Sequence, residues 1–446
     1  MIEDSVRWFW AASIVFAWLA LTGWTIWRFR AGPAPAAQPG ATLIAVASQT
    51  GFGDELAAMT ARAFTDAGHP ALVKSLGELT PTDLTTAARV LFIASTTGEG
   101  DAPDSASGFV RKIMTDRTDL SGVSYGLLSL GDRTYTEFCG FGRALDGWLK
   151  SAGATSLFDA IDVDNGDAAA IRHWQGELSR LTGSIAAPDW APPAYGDWRL
   201  VERRLLNPGS PGEGAWHLAF EPVDSVLQWV AGDIAEVGVP TPEGVLAHRE
   251  YSVASLPSDG RAEFLIRLIK RPDRTPGLAS GWLTRTLQVG DRAPMRIRTN
   301  RAFHGPHAAT PMILIGNGTG MAGLRSHLKS RAAQGSTAGA WLMFGERTAA
   351  HDSFHDAELQ NWLANGTLTR LDRTFSRDPG DGRYVQALIE AEADAVRDWV
   401  SRGAALYVCG SLEGMAGGVN AALETVLSAE TLRDLVENGR YRRDVY

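Results

Sequence analysis

The stretch TLIAVASQTGFGDELA, residues 42–57, places an apolar run directly before a polar, glycine-containing turn and the start of a helical pattern. A strand, a tight turn and a helix in this order open a doubly wound α/β sheet. The hydroxyls and backbone N–H groups of residues 48–53, with the positive end of the helix dipole, favour a phosphate monoester. The lysine of a nucleoside-triphosphate loop is missing. For this loop alone, a strand-to-helix turn with polar caps stays an open alternative.

Two further loops follow apolar strands in the same half of the chain. They are STTGEGDAPD (residues 95–104) and LGDRTYTEFCGFG (residues 130–142). Because the carboxyl ends of parallel strands meet at one edge of a sheet, all three loops are expected at the ligand-binding edge. A ligand with a phosphate at the first loop and a flat body against the other two fits this arrangement.

The rest of the chain divides by composition and pattern. Residues 183–195 are rich in proline and alanine, which indicates a linker. Strand candidates with Gly/Pro turns then predict an antiparallel β-barrel over residues 196–308, and alternating strands and helices predict a second parallel sheet over residues 309–446. The first α/β domain is expected over residues 42–182.

Composition limits the function classes. The chain has 446 residues, a net charge of -9 and 45% apolar residues, as in ordinary globular proteins of two or three domains. No basic stripe suggests a nucleic-acid partner. The two cysteines, Cys139 and Cys409, form neither a disulfide framework nor a metal motif, so no metal site is expected.

The first thirty residues predict a membrane anchor. Residues 8–27 are uncharged, apolar and flanked by tryptophans, and their length suits one membrane-spanning helix. A cleaved signal peptide is the alternative, although the acidic start lacks the basic region of a signal. We therefore expect an anchor in residues 1–30, a linker in residues 31–41, and a single-pass membrane protein with its catalytic domains in the cytoplasm.

Two short motifs mark the barrel region. REYS (residues 249–252) combines a cation, an aromatic ring and a hydroxyl at strand spacing, and GLASGWL (residues 277–283) sets small residues before a helix. The second motif is typical of a pyrophosphate site. Taken alone, the first motif could be an ordinary strand and the second an ordinary glycine turn.

Three motifs mark the last region. GNGTGMAG (residues 316–323) follows a buried strand and opens a helix, where a dinucleotide pyrophosphate can approach the backbone. SRDPGDGRYVQ (residues 376–386) clusters a hydroxyl, two guanidiniums and an aromatic ring, which suit a 2′-phosphate and an adenine and so favour NADPH over NADH. YVCG (residues 407–410) puts a cysteine at a strand end, where a structural cysteine is the alternative.

In this order, the motifs of residues 42–446 resemble the diflavin reductase family, of the NADPH-cytochrome reductase and sulfite reductase flavoprotein type. The resemblance implies a flavodoxin-like domain that binds FMN, and a ferredoxin-reductase-like half, made of a barrel and a nucleotide-binding domain, that binds FAD and NADPH. The implied FMN contacts are Ser48, Gln49, Thr50, Gly51, Phe52, Gly53, Ser95, Thr96, Thr97, Gly98, Leu130, Gly131, Asp132, Tyr135, Phe138, Cys139 and Asp164. For Tyr135 a half-buried surface position, and for Asp164 a solvated acidic loop, stay open.

The resemblance implies further contacts in the second half. The implied FAD contacts are Arg249, Tyr251, Ser252, Gly277, Leu278, Ala279 and Ser280, and the implied NADPH contacts are Gly318, Thr319, Gly320, Ser376, Arg377, Arg383, Tyr384 and Gln386. The implied catalytic residues are Ser252, Cys409, Asp444 and Tyr446, with Tyr446 shielding the FAD ring until nicotinamide displaces it.

Three departures from the family are visible. Thr97 stands where some members have a second aromatic residue, and Gly382 stands where a lysine is usual, with Arg383 as its expected substitute. The family's large helical connecting region is reduced to residues 240–248. The 183–195 linker and direct packing are therefore expected to set the contact between the FMN and FAD domains.

Together with the anchor predicted from residues 8–27, the resemblance implies a membrane-anchored diflavin oxidoreductase that passes electrons from NADPH to FAD, to FMN and to a haem protein or other one-electron acceptor. Two alternatives stay open: a reductase of ferric iron complexes acting with a membrane partner, and a flavin-binding sensor module without turnover.

Overall fold

The protein was analysed as a computed structural model, which describes residues 41–116, 118–133, 135–183, 190, 194–224, 226–241, 244 and 246–446. The predicted anchor and all but residue 41 of the first predicted linker lie outside the described residues, as do residues 184–189 and 191–193 of the second linker.

The first sheet is parallel and has six strands in the order β2-β1-β3-β4-β5, with β6 also paired to β4. Its inner strands are mainly apolar and buried, with core clusters on both faces, as expected for a sheet covered by helices on both sides. The strands are β1 (Thr42–Ala47), β2 (Ala71–Ser75), β3 (Arg89–Ser95), β4 (Ser124–Gly131), β5 (Thr155–Ser156) and β6 (Ile161–Asp164). The helices are α1 (Phe52–Asp66), α2 (Pro81–Thr86), α3 (Ser107–Lys112), α4 (Gly140–Ser151) and α5 (Ala168–Thr182).

The second sheet is antiparallel, in the order β10-β9-β12-β7-β8-β11. Alternate side chains of its strands fill one apolar core that includes Trp198, Phe220 and Phe264. The strands are β7 (Gly196–Leu205), β8 (Ala215–Pro222), β9 (Ile234–Pro240), β10 (Leu246–Ser252), β11 (Ala262–Arg267) and β12 (Arg292–Arg298), and the short helix is α6 (Leu278–Gly281).

The third sheet is parallel, in the order β15-β14-β13-β16-β17. The strands are β13 (Met312–Asn317), β14 (Ala340–Glu346), β15 (Arg370–Phe375), β16 (Ala405–Gly410) and β17 (Tyr441–Val445). The helices are α7 (Met321–Ala333), α8 (Asp356–Ala364), α9 (Val385–Ala391), α10 (Ala393–Ser401), α11 (Gly417–Leu427) and α12 (Ala429–Glu437).

Each sheet lies within one of the predicted ranges 42–182, 196–308 and 309–446. The exact domain boundaries stay predictions. Strands β9 and β10 form a hairpin that pairs from Pro240 and Leu246 onward, so the connection between them is short, as predicted.

The predicted localisation is a single-pass membrane protein with cytoplasmic catalytic domains. This prediction is wrong, because the described residues contain no candidate membrane span. Within those residues, no helix is long and apolar enough to cross a membrane. The longest helices, α1 and α5, have 15 residues each, and at ~1.5 Å per residue they fall short of a hydrocarbon core of about 30 Å. The segment that was predicted to span, residues 8–27, lies outside the described residues.

Candidate functional site

Three loops meet at the carboxyl edge of the first sheet, as their positions after β1, β3 and β4 predict. A Cβ placed on Gly53 would lie 3.2 Å from the Ser48 Cβ and 3.4 Å from the Ser95 Oγ, so the first two loops are in direct contact. The Thr96 backbone N–H donates to the Leu130 carbonyl at 2.8 Å, which joins the second loop to the third. The predicted loops therefore form one surface.

The first loop has the features of an anion cradle. The Ser48 Oγ is buried and accepts a hydrogen bond from the Gly51 N–H at 3.0 Å. Gly51 has φ +86°, a left-handed conformation that favours glycine, and helix α1 begins at the next residue. In the described part of the chain, the buried Thr96 Oγ1 has no hydrogen-bond partner. These N–H and hydroxyl groups fit a phosphate.

Two carboxylates in the first turn of α1 would oppose an anion, and both lie near arginines of the barrel. Glu55 pairs with the Arg296 guanidinium at 2.9 and 3.2 Å. Burial raises the pKa of Asp54, while the positive charge of Arg301 opposes that shift. The negative charge at this helix start is therefore reduced by burial and by pairing.

The third loop packs around Phe138. The Arg133 guanidinium lies 4.5 Å from the Phe138 ring centroid, and Arg133 also contacts Asp164 through its backbone N–H at 3.0 Å and its Nε at 3.3 Å. Tyr135 is 37% exposed and so can meet a ligand ring. Asp132 and Gly131 lie where β4 ends.

Cys139 faces inward. It has φ +55°, its side chain is fully buried, and its thiol donates to the Ser129 carbonyl at 3.4 Å. Burial raises the pKa of this thiol to about 11. Any contact of Cys139 with a ligand at this edge would therefore come from its backbone.

The middle loop closes on itself. Thr97 and Asp101 form a backbone bridge, and the Thr97 Oγ1 lies 3.3 Å from each of the Asp101 and Ala102 carbonyls. Gly98 has φ +52° in this turn. The remaining predicted residues of the first loop, Gln49, Thr50 and Phe52, are half-buried.

On β10, the side chains of the REYS motif alternate between the two faces of the strand. Arg249 and Tyr251 share one face, and Tyr251 packs against the barrel core. Ser252 points to the other face and is buried. Arg249 is exposed, and its Nη1 donates to the neighbouring His248 carbonyl at 2.7 Å, which leaves the other guanidinium donors toward solvent.

The GLAS turn lies beside β11 and begins α6. The Gly277 N–H donates to the Ile269 carbonyl at 2.8 Å, and the Ser280 Oγ accepts from the Ile269 N–H at 3.1 Å. Ala279 and Ser280 are buried, and Leu278 packs against the barrel core. The turn is thus fixed to the barrel at both ends.

Ser252, Cys409 and Asp444 meet between the barrel and the third sheet. The Ser252 Oγ donates to Asp444 Oδ2 at 2.6 Å, and the Cys409 Sγ lies 3.7 Å from the same oxygen. Burial raises the pKa of Asp444, and its hydrogen bonds with Ser252 and Cys409 oppose that shift. Burial and the Asp444 charge raise the pKa of the Cys409 thiol, which therefore stays protonated.

The glycine loop after β13 approaches β16 closely. A Cβ on Gly320 would lie 2.0 Å from the Cys409 carbonyl oxygen, so this position admits only glycine. Gly318 has φ +55°. The Tyr446 hydroxyl lies 3.5 Å from the Thr319 Oγ1, which places the last residue of the chain over this loop.

The second nucleotide motif follows β15 on the surface. Arg377, Arg383 and Tyr384 are exposed, and the Arg383 Nε pairs with Asp381 at 2.7 Å. Ser376 binds the Glu346 carbonyl through its N–H at 2.8 Å and its hydroxyl at 3.2 Å. Gln386 lies in the first turn of α9, against Gly418.

Two arginines converge beside this motif. A cavity of about 260 Å³ is lined by Arg347, Arg377, Glu213, Gly212 and Pro211. Arg347 was not predicted from the sequence, although its place directly after β14 in the run FGER is at the carboxyl edge of the sheet. Arg347 and Arg377 therefore give this cavity two guanidinium groups.

Comparisons with known proteins agree with this arrangement. Residues 44–174 match the Flavodoxin family, and residues 314–421 match the Oxidoreductase NAD-binding domain family. The chain is similar to proteins described as "Sulfite reductase (NADPH) flavoprotein alpha-component". It is 27% identical to that of Vibrio cholerae over 547 residues, covering 93% of this chain and 89% of the relative. It is 26% identical to that of Bacillus subtilis, covering 93% and 90%.

The length of these alignments bears on the short β9–β10 connection. An alignment over 547 positions exceeds the 446 residues of this chain, so the relative carries segments that this chain lacks.

Proposed function

This chain belongs to the diflavin reductase family, and on that premise we propose which residues carry its activity and which acceptor it serves. It is an NADPH-dependent flavoprotein oxidoreductase whose cofactors are FMN, FAD and NADPH. When bound, the two flavins would supply hydride acceptance from NADPH, at FAD, and single-electron transfer to an acceptor, at FMN.

We assign FMN to the edge of the first sheet. The Gly51 and Gly53 backbone, the Ser48 hydroxyl and the unpartnered Thr96 hydroxyl would hold its phosphate. Tyr135, exposed on the third loop, would stack on the flavin ring, a contact worth ~0.5–1.5 kcal/mol beyond the area it buries.

We assign FAD to the barrel. Arg249 would pair with its pyrophosphate through the guanidinium donors that face solvent, and Tyr251 would lie along its ring. The turn of residues 277–280 would approach the pyrophosphate with its backbone, because Ser280 fixes that turn to Ile269.

We assign NADPH to the third sheet. Gly320 allows the chain to pass close to β16, so a dinucleotide can reach the backbone there. Arg377, Ser376 and Arg383 would recognise the 2′-phosphate, and Tyr384 would stack on the adenine. Arg347 would add a second guanidinium to the cavity beside Arg377.

Ser252, Cys409 and Asp444 would form the hydride site. Asp444 holds the Ser252 hydroxyl in one orientation through the 2.6 Å hydrogen bond. A buried carboxylate also favours positive charge in its surroundings, and the nicotinamide ring becomes cationic when it gives up hydride. Tyr446 would cover the site until nicotinamide displaces it. The contact of Ser252 with Asp444 is the observation that carries this proposal, because it joins the FAD motif to the nucleotide-binding sheet.

The acceptor is proposed to be a haem protein, and a sulfite-reductase-type haemoprotein is the first to test. The support is the similarity to relatives that are flavoprotein components of sulfite reductase. The net charge of -9 suits a positively charged partner surface. A sensor without turnover is not retained, because the chain is an oxidoreductase.

Anaerobic mixing with NADPH tests the proposal. The bound flavins should bleach within seconds, and a sulfite-reductase-type haemoprotein added afterwards should restore the flavin absorbance as its own spectrum changes. Bleached flavin that ferric citrate reoxidises, but the haemoprotein does not, would reject the haem acceptor while leaving the reductase activity in place.

A further inference from the structure

The C-terminal strand β17 contacts two of the three loops assigned to FMN. The Arg443 Nε donates to Asp104 Oδ2 at 3.0 Å, and its Nη2 also bonds Asp104 Oδ1, so both carboxylate oxygens are engaged. Asp104 ends the middle loop. The Arg443 carbonyl accepts a hydrogen bond from Gln49 Nε2 of the first loop at 3.1 Å. One residue thus holds both loops.

The same strand carries Asp444 of the hydride site. Because neighbouring side chains of a strand point to opposite faces, Asp444 reaches Ser252 while Arg443 reaches Asp104. Both partners of this ion pair are partly buried, with side-chain exposures of 30% for Arg443 and 19% for Asp104. Partial burial and two-point geometry make such a pair stronger than an exposed one.

A second contact steadies this attachment. Glu437, the last residue of α12, pairs with Lys112 at 2.7 Å and with Arg111, and both of these lie on α3 of the first sheet's half. The edge strand β17 of the nucleotide-binding sheet and the preceding helix α12 therefore both contact the FMN half of the chain.

The barrel also contacts the first half of the chain through an ion pair, but the arginine of that pair has a second carboxylate partner within the barrel. Arg296 pairs with Glu55 of α1 and also with Glu236 of its own sheet at 2.7 Å. Within the described residues, Asp104 is the ion-pair partner of Arg443 at salt-bridge distance. The Arg443–Asp104 pair is therefore the charged contact whose loss would leave the C-terminal strand without an ionic tie to the FMN loops.

We propose that Arg443 is a positioning residue that docks the FMN loops against the C-terminal strand, so that β17 serves hydride transfer through Asp444 and transfer between the two flavin sites through Arg443. The ion pair itself takes part in no covalent or redox step. The expected change in electron-transfer rate rests on the proposed function. The expected change in the radius of gyration rests only on the docked arrangement.

The test compares Arg443→Glu, Asp104→Arg and the double variant Arg443→Glu/Asp104→Arg of the full chain. Small-angle X-ray scattering gives the radius of gyration, and stopped-flow absorbance after NADPH separates the reduction of the first flavin from transfer to the second. Each single variant should increase the radius of gyration and slow the second phase on the order of tenfold or more, because like charges then face each other. The first phase should stay within about twofold of wild type, and the double variant should restore both quantities.

Arg402→Glu is the matched control, since Arg402 pairs with Asp398 at 2.8 Å beside α10 and its substitution changes the net charge equally. It should leave the radius of gyration and both phases unchanged. Should a reversal fail to fold, Arg443→Gln and Asp104→Asn carry the same test with smaller effects. Single variants with the wild-type radius of gyration, or a double variant that restores nothing, overturn the proposal. Wild-type flavin that NADPH does not bleach rejects the proposed function instead, and the scattering still tests the docking.

Discussion

Ser252 of the barrel and Asp444 of the C-terminal strand, 192 positions apart, are joined by a hydrogen bond of 2.6 Å. The bond closes the barrel onto the third sheet beside Cys409, the next-to-last residue of β16. Because all three side chains are buried there, water competes little for their hydrogen bonds. This contact holds together the residues of the proposed hydride site.

Substitution of Asp444 by asparagine should slow reduction of the first flavin by NADPH on the order of a hundredfold. The amide keeps the volume but removes the charge, and its oxygen is a weaker acceptor for the Ser252 hydroxyl than a carboxylate oxygen. Stopped-flow absorbance under anaerobic conditions measures the rate. Asp398→Asn, at an exposed carboxylate, is the control and should behave as wild type. A wild-type rate in Asp444→Asn would show that the cluster has no part in hydride transfer.

Substitution of Arg377 by alanine should raise the KM for NADPH about tenfold to a hundredfold and leave the KM for NADH unchanged. A hydrogen bond to a charged group contributes about 1.5–3 kcal/mol, and only NADPH carries the 2′-phosphate. Steady-state reduction of an artificial acceptor with each nucleotide measures both constants. Arg402→Ala removes an exposed arginine elsewhere and should change neither. An equal rise of both KM values would mean that Arg377 does not recognise the 2′-phosphate.

A comparison of Gly51→Ala with Gly68→Ala should distinguish the effect of backbone strain from the effect of a lost contact between the first loop and the barrel. Both glycines have left-handed φ values, +86° and +81°, so each alanine should cost roughly 1–2 kcal/mol of unfolding free energy. A Cβ on Gly51 would lie 2.1 Å from the Thr299 carbonyl oxygen of the barrel, whereas one on Gly68 meets nothing within 4 Å. Only Gly51→Ala should therefore increase the radius of gyration in scattering. Equal radii for the two variants would contradict the docked position of the first loop.

His327→Phe should reduce the loss of stability in acid. Burial, with the neighbouring charge of His304, lowers the pKa of His327 from 6.5 to about 3. The unfolded chain therefore binds a proton below about pH 6.5 that the folded protein refuses, so the unfolding free energy falls as pH decreases through that range. For one histidine the loss is about 1.7 kcal/mol between pH 6.5 and pH 5. The phenyl ring can keep the contacts with Phe303 and Tyr407 at 5.1 and 4.9 Å.

Urea unfolding at several pH values measures this effect. The variant should lose about 1.7 kcal/mol less unfolding free energy than wild type over that interval, and near pH 8 this position should add no pH dependence in either protein. The same acid-dependent loss in both proteins would mean that His327 is protonated in the folded state.

The sequence predicted what local patterns determine. The loops after β1, β3 and β4 could be placed together because each follows an apolar strand, and parallel strands end at one edge. The closeness of Ser252, Cys409 and Asp444 followed only from family resemblance, since nothing local connects residues so far apart.

Contacts between the halves had no signal in the sequence. Arg443 and Asp104 are 339 positions apart, and Arg296 and Glu55 are 241 apart, so these pairs exist only once three sheets have docked. The inward direction of the Cys139 thiol likewise depends on a left-handed backbone at that residue, which a cysteine rarely adopts. The prediction of a membrane localisation was wrong, because no helix of the described residues is long and apolar enough to cross a bilayer.

The proposed mechanism requires two different flavins on one chain, one at the first sheet and one at the barrel. Acid release of the cofactors from purified protein, followed by chromatography, tests it most directly. FMN and FAD are expected in equal amounts. Recovery of only one kind, after reconstitution with both, would contradict it.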